Sequence, residues 1–425
     1  MLLRVILGTS LLIGIAWLLS SHRGRFPWRT VIGGLSLQWV LGLAVLRTDL
    51  GQTVFGLLAG VVTALLDATT EGARFVLGNL VDIQQDSWGV VFAAVVLPSI
   101  IVFSSLSALG YHLGVLQICV RAMAKVMSKL MGISGAESLS AAANVFLGQT
   151  EAPLLVRPYI PKMTDSELMA LMVGGFATVS AGVMASYVAI LGGDDPTLRL
   201  EIARHFMTAV LMSAPASFVI AKIMVPETEQ PQTAGQVRLH VERKTANVVH
   251  AAAVGASDGL KLALNVGAML IAFIALIAVL DKLLMFVGQM SWMQPVLDTV
   301  GLEKLDLAGV LGLLFAPFAY IIGADWDQCR VLGGLLGKAM ATNEFLAYMS
   351  LADMLRDGVI SERTLRLATY SLCGFANFSS IAIQIAGIGA MAPDRRADLA
   401  RLGPRAMLGG AMACWMTGCI AGVLT

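Results

Sequence analysis

The sequence predicts an all-α polytopic membrane protein with about eight transmembrane helices, two re-entrant hairpins, interfacial helices and a core built as an inverted repeat. Three observations carry that prediction. Of the 425 residues, 57% are hydrophobic and only 13% charged, more apolar surface than a soluble chain of this length can cover. Two polar stretches, Gly148-Gln149-Thr150-Glu151-Ala152-Pro153 and Ala341-Thr342-Asn343-Glu344-Phe345, each lie between apolar pieces too short to cross a bilayer (139–147 and 154–156; 331–340 and 346–351). Each is followed by a matching series. Ser166-Glu167 precedes an apolar run carrying Gly175-Phe176-Ala177-Thr178-Val179-Ser180, and Ser361-Glu362 precedes one carrying Gly374-Phe375-Ala376-Asn377-Phe378-Ser379. Interrupted segments at corresponding positions of two halves point to the binding site of a secondary transporter.

The elements follow in order. Segments 5–19 and 31–45 read as spans joined by a basic loop, His22-Arg23-Gly24-Arg25 and Arg29, which belongs in the cytoplasm and leaves the N-terminus outside. The first segment reads as a helix rather than a signal peptide, because its apolar run is long and lacks a small-x-small cleavage site. Segment 51–66 is less apolar, with Asp67, Glu71 and Arg74 soon after, and reads as an interfacial helix rather than a span. Segment 88–116, containing Pro98, is a long span. Arg121, Lys125 and Lys129 then recur every four residues, as on an amphipathic helix at the cytoplasmic surface. Residues 1–116 thus form scaffold helices with an interfacial helix.

The first core repeat is assigned to 117–225. Its hairpin, near 135–163, enters from the cytoplasm and returns through Arg157, Pro158, Pro161 and Lys162. Segment 168–191 crosses outward to the acidic turn Gly192-Gly193-Asp194-Asp195-Pro196, and 206–220 returns with a kink at Pro215. Residues 226–290 supply a polar connector, with Arg238, Arg243 and Lys244, and a scaffold helix at 262–280. The second repeat, 306–425, opens with a surface-lying or re-entrant piece at 307–323. A hairpin near 326–357 dips in from outside, 367–392 crosses inward to Asp394-Arg395-Arg396, Arg401 and Arg405, and 406–425 ends outside. This threading places every assignable basic cluster in the cytoplasm, so the two repeats are inverted and both termini are external.

The chemistry concentrates in the interrupted segments. Glu151 and Glu344 are carried to membrane depth, where an ionisable group costs at least ~2.5 kcal/mol and marks a functional site. Spans 168–191 and 367–392 contain no charge but have Gly, Ser, Thr or Asn at their centres. Such residues permit local unwinding, which turns backbone carbonyls toward a cation or polar ligand. An intramembrane enzyme using Glu151 and Glu344 as an acid/base pair lacks an accompanying nucleophile, His cluster or metal motif. His22, His112, His205, His240 and His250 are scattered near span ends or in the connector, and the five cysteines read as small buried hydrophobes. A channel would need a lined pore, whereas inverted broken hairpins imply a single occluded site.

The motifs around Gln149-Thr150-Glu151, Thr342-Asn343-Glu344 and Gly374-Phe375-Ala376-Asn377-Phe378-Ser379-Ser380 resemble the signatures of the concentrative nucleoside transporter family, in its short bacterial form, and the resemblance covers nearly the whole chain. It implies a homotrimer in the bacterial inner membrane that imports uridine-like nucleosides by cation symport. Each protomer would pair a scaffold, made of the first three spans and 262–280, with a mobile transport domain working by an elevator movement. It also implies that Gly148, Gln149, Thr150, Glu151 and Val183 meet the nucleobase, and that Glu344, Asn377 and Ser380 hold the ribose with Phe375 packed nearby. A coupling sodium ion is implied at Asn144, Leu147, Thr178 and Val179. An oxygen site without a carboxylate suits a monovalent cation, although some bacterial relatives use protons. The partners expected are nucleoside, sodium and lipid bilayer; no other cofactor and no nucleic acid is expected.

Overall fold

Apolar runs punctuated by glycine, proline and capping residues become eighteen α-helices in the computed structural model, which describes residues 2–81, 92–193, 195–234 and 245–425 and has no strand among them. The start of the 88–116 span, Asp194 of the acidic turn, and Arg238, His240, Arg243 and Lys244 of the connector lie outside the described residues. Helices α1 (Leu2–Leu18) and α2 (Trp28–Arg47) flank the basic loop. There Arg23 reaches back to donate 2.7 Å to the Leu18 carbonyl, satisfying a helix end. Segment 51–66 lies within helix α3 (Asp49–Leu77), a 29-residue helix whose length and apolarity would also allow it to cross a membrane. Asp67 does not end it, because its carboxylate is exposed and paired with Arg199 at 3.0 Å.

After the short α4 (Phe92–Val95), α5 (Leu97–His112) and α6 (Val115–Met131) meet at a 78° bend. Gly114 makes the turn with φ +84°, a conformation side chains avoid. Helix α6 buries Val120, Ala124 and Met127 and exposes Arg121, Lys125 and Lys129. Cys119, expected to be buried with the other cysteines, is exposed, because it falls on the outer face of this amphipathic helix beside exposed Ile118.

The core begins with α7 (Gly135–Asn144), α8 (Asp165–Phe176), α9 (Ala181–Gly192) and α10 (Pro196–Met224). Helix α11 (Val248–Gly288) runs for 41 residues, beyond both ends of the expected 262–280. It starts early because the Asn247 side chain accepts from His250 N at 2.8 Å and caps it. Helix α11 lies on α5 through Gly255 and Gly259, a small-xxx-small seam. A Cβ on Gly255 would come within 2.6 Å of Ala108 Cβ, and one on Gly259 within 2.8 Å of Ile101 Cα.

The second half follows as α12 (Gln294–Val300), α13 (Leu307–Ile322), α14 (Cys329–Ala341), α15 (Glu344–Arg356), α16 (Glu362–Ser371), α17 (Phe378–Met391) and α18 (Arg396–Leu424). Helix α13 packs along α14. A Cβ on Gly333 would lie 2.7 Å from Ala316 N and 2.8 Å from Gly312 O, so the two backbones nearly touch. Among the described residues, five segments are long and apolar enough to cross a membrane, or six if α5 and α6 count as one bent span. Helices α10 and α18, 29 residues each, pack on one another and on α8 and α16, forming the middle of the molecule.

The base of the first hairpin is fastened to this middle. Ser134 and Glu137 form a capping box on α7, and Thr164 and Glu167 form one on α8. The boxes are joined where the Ser134 hydroxyl donates to Glu167 Oε1 at 2.6 Å. Buried Lys222 of α10 completes the knot by pairing with Glu137 and donating to Ser166 Oγ at 2.9 Å. Breaking a buried ion pair strands the remaining charge, at ~3–5 kcal/mol, whereas removing both partners costs less. Lys222→Met and Glu137→Gln should therefore each lower the thermal unfolding midpoint of the detergent-solubilised protein clearly. The double variant should lose much less than the sum of the two; additive losses would show that the pair is not coupled.

Candidate functional site

Two helix breaks set up the site. The helix α8 stops at Phe176 and α9 restarts at Ala181, while α16 stops at Ser371 and α17 restarts at Phe378. Each restart is capped from inside the break: Ser180 Oγ accepts from Val183 N at 3.4 Å, and Asn377 Oδ1 accepts from Ser380 N at 2.9 Å. Side chains that bind their own backbone in this way compete with helix continuation. The breaks sit against each other. A Cβ on Gly374 would fall 2.5 Å from Phe176 O and 2.7 Å from Cys414 Sγ, so only glycine admits the approach. The Cys414 sulfur lies 3.4 Å from both Ala177 O and Cys373 O, one carbonyl from each break.

The second hairpin tip brings Glu344 to the second break. Asn343 caps α15, accepting from Leu346 N at 2.9 Å, and Glu344 begins that helix. Its carboxylate is only 3% exposed and is held on both oxygens. Oε1 accepts from the Tyr187 hydroxyl at 3.0 Å and Oε2 from Asn377 Nδ2 at 2.7 Å. Ser380 is buried next to this pair and Phe375 is half-buried in the break. Tyr187, on α9, is gripped by Phe206, Phe345 and Tyr348 at centroid distances of 5.7, 4.9 and 4.2 Å.

The first tip is divided between two surroundings. Gly148 N donates to Glu151 Oε2 at 2.8 Å, closing a turn between α7 and a 3-10 turn at Ala152–Val156. Gln149 is buried against α17, its Oε1 accepting from Gln384 Nε2 at 3.0 Å. Thr150 lies on the same side, its Cγ2 3.1 Å from where a Cβ on Gly387 would stand. Glu151 instead faces a cavity of about 250 Å³ lined also by Tyr111, Arg157, Ser180 and Asp258. Val183 is buried in the first turn of α9. Among the described residues no hydrogen bond links Glu151 or Val183 to the Glu344 cluster. Tyr187 and Gln384 were not singled out in the sequence. A tyrosine hydroxyl and a carboxamide inside charge-free spans were the signals available.

Two of the residues matched to a coupling ion, Asn144 and Thr178, meet at one turn of α8. Asn144 ends α7 and is 1% exposed. Its Nδ2 lies 3.2 Å from where a Cβ on Gly174 would stand, while Thr178 Oγ1 donates to Gly174 O at 2.9 Å. Leu147 and Val179, their neighbours in sequence, are buried. Asn144 Oδ1 accepts no hydrogen bond from any described residue. A buried acceptor left unmatched costs about 1–3 kcal/mol, and an oxygen in that state fits a small cation as ligand. The donors present are amide, hydroxyl and carbonyl oxygens, which fit a monovalent ion.

His205 departs from the expectation that the histidines sit near span ends or in the connector. It is buried because α10 begins at Pro196, well before the expected 206. Its Nδ1 is 2.9 Å from the Tyr370 hydroxyl and its Nε2 3.5 Å from Glu201, so it fastens α10 to α16.

Known proteins resemble this chain from end to end. Residues 7–80 match the family model described as Na+ dependent nucleoside transporter N-terminus, 93–194 the gate model described as nucleoside recognition, and 205–422 the Na+ dependent nucleoside transporter C-terminus. An uncharacterized transporter of Haemophilus influenzae is 44% identical over 98% of this chain and 96% of its own. The nucleoside permease NupC of Helicobacter pylori is 37% identical over 98% and 96%. Human solute carrier family 28 member 3 is 37% identical over 98% of this chain but 59% of its own longer one. The structure of CNTnw in an inward-facing substrate-bound state superposes with TM-score 0.89 at 39% identity, covering 100% of this chain and 99% of that one. A doubly substituted CNTnw in an outward-facing state gives TM-score 0.90 at 39% identity, covering 100% and 98%.

Proposed function

The chain belongs to the concentrative nucleoside transporter family, and from that premise we propose that it imports uridine-like nucleosides by sodium symport, carrying the site across the membrane in an elevator movement. The observation that carries the reading is Glu344, a buried carboxylate that accepts from Tyr187 on one oxygen and from Asn377 on the other. Ribose hydroxyls are donors, and Glu344 with Asn377 and Ser380 offers them acceptors in a setting prepared before they arrive. At the other tip Gln149 and Thr150 read the edge of the base, Gly148 lets the backbone approach, and Glu151, from the adjoining cavity, and Val183, in the first turn of α9, complete the base end of the site.

Asn144, Thr178 and the backbone carbonyls of Leu147 and Val179 would hold sodium, which supplies positive charge between the first hairpin and the first break. With α7 and the break joined there, Gln149, Thr150 and Glu151 keep their binding shape. Sodium thus raises nucleoside affinity, and nucleoside raises sodium affinity by the same factor. Proton coupling is the second reading, with Glu151 or Glu344 as carrier. The unmatched Asn144 oxygen favours sodium. We place the protein as a homotrimer in a bacterial inner membrane, both termini outside. The scaffold comprises α1, α2, the α4–α5 span and α11, with α3 at its side, and the transport domain holds two inverted repeats. The inward-facing and outward-facing forms of CNTnw support alternating access.

Glu344→Gln replaces one acceptor oxygen by a donor, a buried mismatch of ~1–3 kcal/mol. Uridine binding should weaken about tenfold or more, and 2′- and 3′-deoxyuridine should lose less. Equal losses for all three ligands would take Glu344 out of the ribose site. For the ion, equilibrium uridine binding at fixed pH is titrated with sodium against choline. Affinity should rise with sodium in the wild type, and Asn144→Ala and Thr178→Val should each flatten that rise while sparing assembly. A wild-type response that is flat would remove the sodium site.

A further inference from the structure

The two hairpin tips are held by hydrogen bonds that cross between the halves of the core. Tyr187, on α9 of the first half, donates to Glu344 at the second tip at 3.0 Å. Gln384, on α17 of the second half, donates to Gln149 at the first tip, also at 3.0 Å. Tyr187, Glu344, Gln384 and Gln149 are all buried, so neither bond competes with water.

The geometry also fixes which way each group faces. Gln384 Nε2 lies 3.1 Å from the Met172 carbonyl, which can only accept. The Gln384 nitrogen must therefore point there, and Gln149 must turn its oxygen toward it. That leaves the Gln149 NH2 group outward, and no described residue accepts a hydrogen bond from it. The arrangement depends on Gly175, where a Cβ would stand 2.7 Å from Gln384 Nε2 and 3.0 Å from Gln149 Cβ. At the other tip the Tyr187 ring is locked among Phe206, Phe345 and Tyr348. Its hydroxyl can reach a carboxylate only as donor, which fixes Glu344 Oε1 in place.

We propose that Tyr187 and Gln384 are positioning residues in a reciprocal brace. The first half of the core orients the ribose acceptor at the second tip, and the second half orients the base reader at the first tip. The proposal rests on the reading of Glu344 as ribose acceptor and Gln149 as base reader. It predicts a crossed phenotype: a change in the first half alters ribose recognition, and a change in the second half alters base recognition.

The test is equilibrium binding of uridine, cytidine, 2′-deoxyuridine and 3′-deoxyuridine to the purified full-length protein in saturating sodium. Tyr187→Phe removes only the hydroxyl and keeps the ring packing. It should narrow the advantage of uridine over both deoxy analogues by about threefold or more, with the uridine-to-cytidine ratio held within about twofold. Gln384→Leu should do the reverse, moving the uridine-to-cytidine ratio about threefold or more and leaving the deoxy ratios within about twofold. If Gln384→Leu yields no folded protein, Gln384→Asn, whose shorter amide withdraws from Gln149, is measured instead. Glu344→Gln and Gln149→Ala separate the two levels. If these leave the deoxy and base ratios unchanged, the underlying assignment of ribose and base fails. If they shift the ratios but the Tyr187 and Gln384 variants weaken all four ligands by one common factor, the brace is overturned and both residues are packing alone.

Discussion

Backbone broken at membrane depth must be satisfied by the protein itself, since lipid offers no hydrogen bonds. That constraint shapes the centre of this molecule. Residues 177–180 and 372–377 leave their helices and free carbonyls and N–H groups inside an apolar body. Ser180 and Asn377 take the N–H groups of the restarting helices. Gly374 presses onto the Phe176 carbonyl, and Cys414 of α18 stands between Ala177 O and Cys373 O. The two breaks share Cys414 and meet at Gly374, so they lie side by side near the polar side chains of the hairpins. A single break would leave its polar groups without that company.

The same interdependence explains how a site lined by loose ends can be firm. Glu344 is reached by Tyr187 from one half and Asn377 from the other, and Gln149 by Gln384 from across the core. The base of the first hairpin is tied to α8 and α10 through joined capping boxes and buried Lys222. His205 ties α10 to α16. Helices α5 and α11 pair closely with each other through Gly255 and Gly259; α5 also packs on α9, where the Ser99 and Ser186 hydroxyls lie 2.7 Å apart, and a cavity separates another part of the pair from the first tip.

The tips and breaks were legible in the sequence because their signals are local. Gly, Pro, Asn and Ser beside Glu in an apolar run contradict a continuous span without knowledge of any partner. What was not legible depends on partners. Asp67, Glu71 and Arg74 suggest an end soon after residue 66, yet α3 continues to Leu77 with Asp67 exposed and paired with a distant Arg199. Tyr187 and Gln384 have no unusual neighbours in sequence, and their importance appears only when α9 and α17 cross the opposite tips. Cys414 and His205 likewise acquire roles from what packs on them. The spacing of Gly255 and Gly259 is local, but the tight seam it makes appears only when α5 packs on that face.

Uptake of labelled uridine into proteoliposomes tests cation-driven accumulation most directly. Vesicles containing the purified protein are given an inward sodium gradient, an inward proton gradient in choline, or no gradient, and the internal label is recovered and identified. Unchanged uridine should accumulate above the external concentration under the sodium gradient alone. Accumulation under the proton gradient alone, simple equilibration in all three conditions, or recovery of a chemically altered product would contradict it.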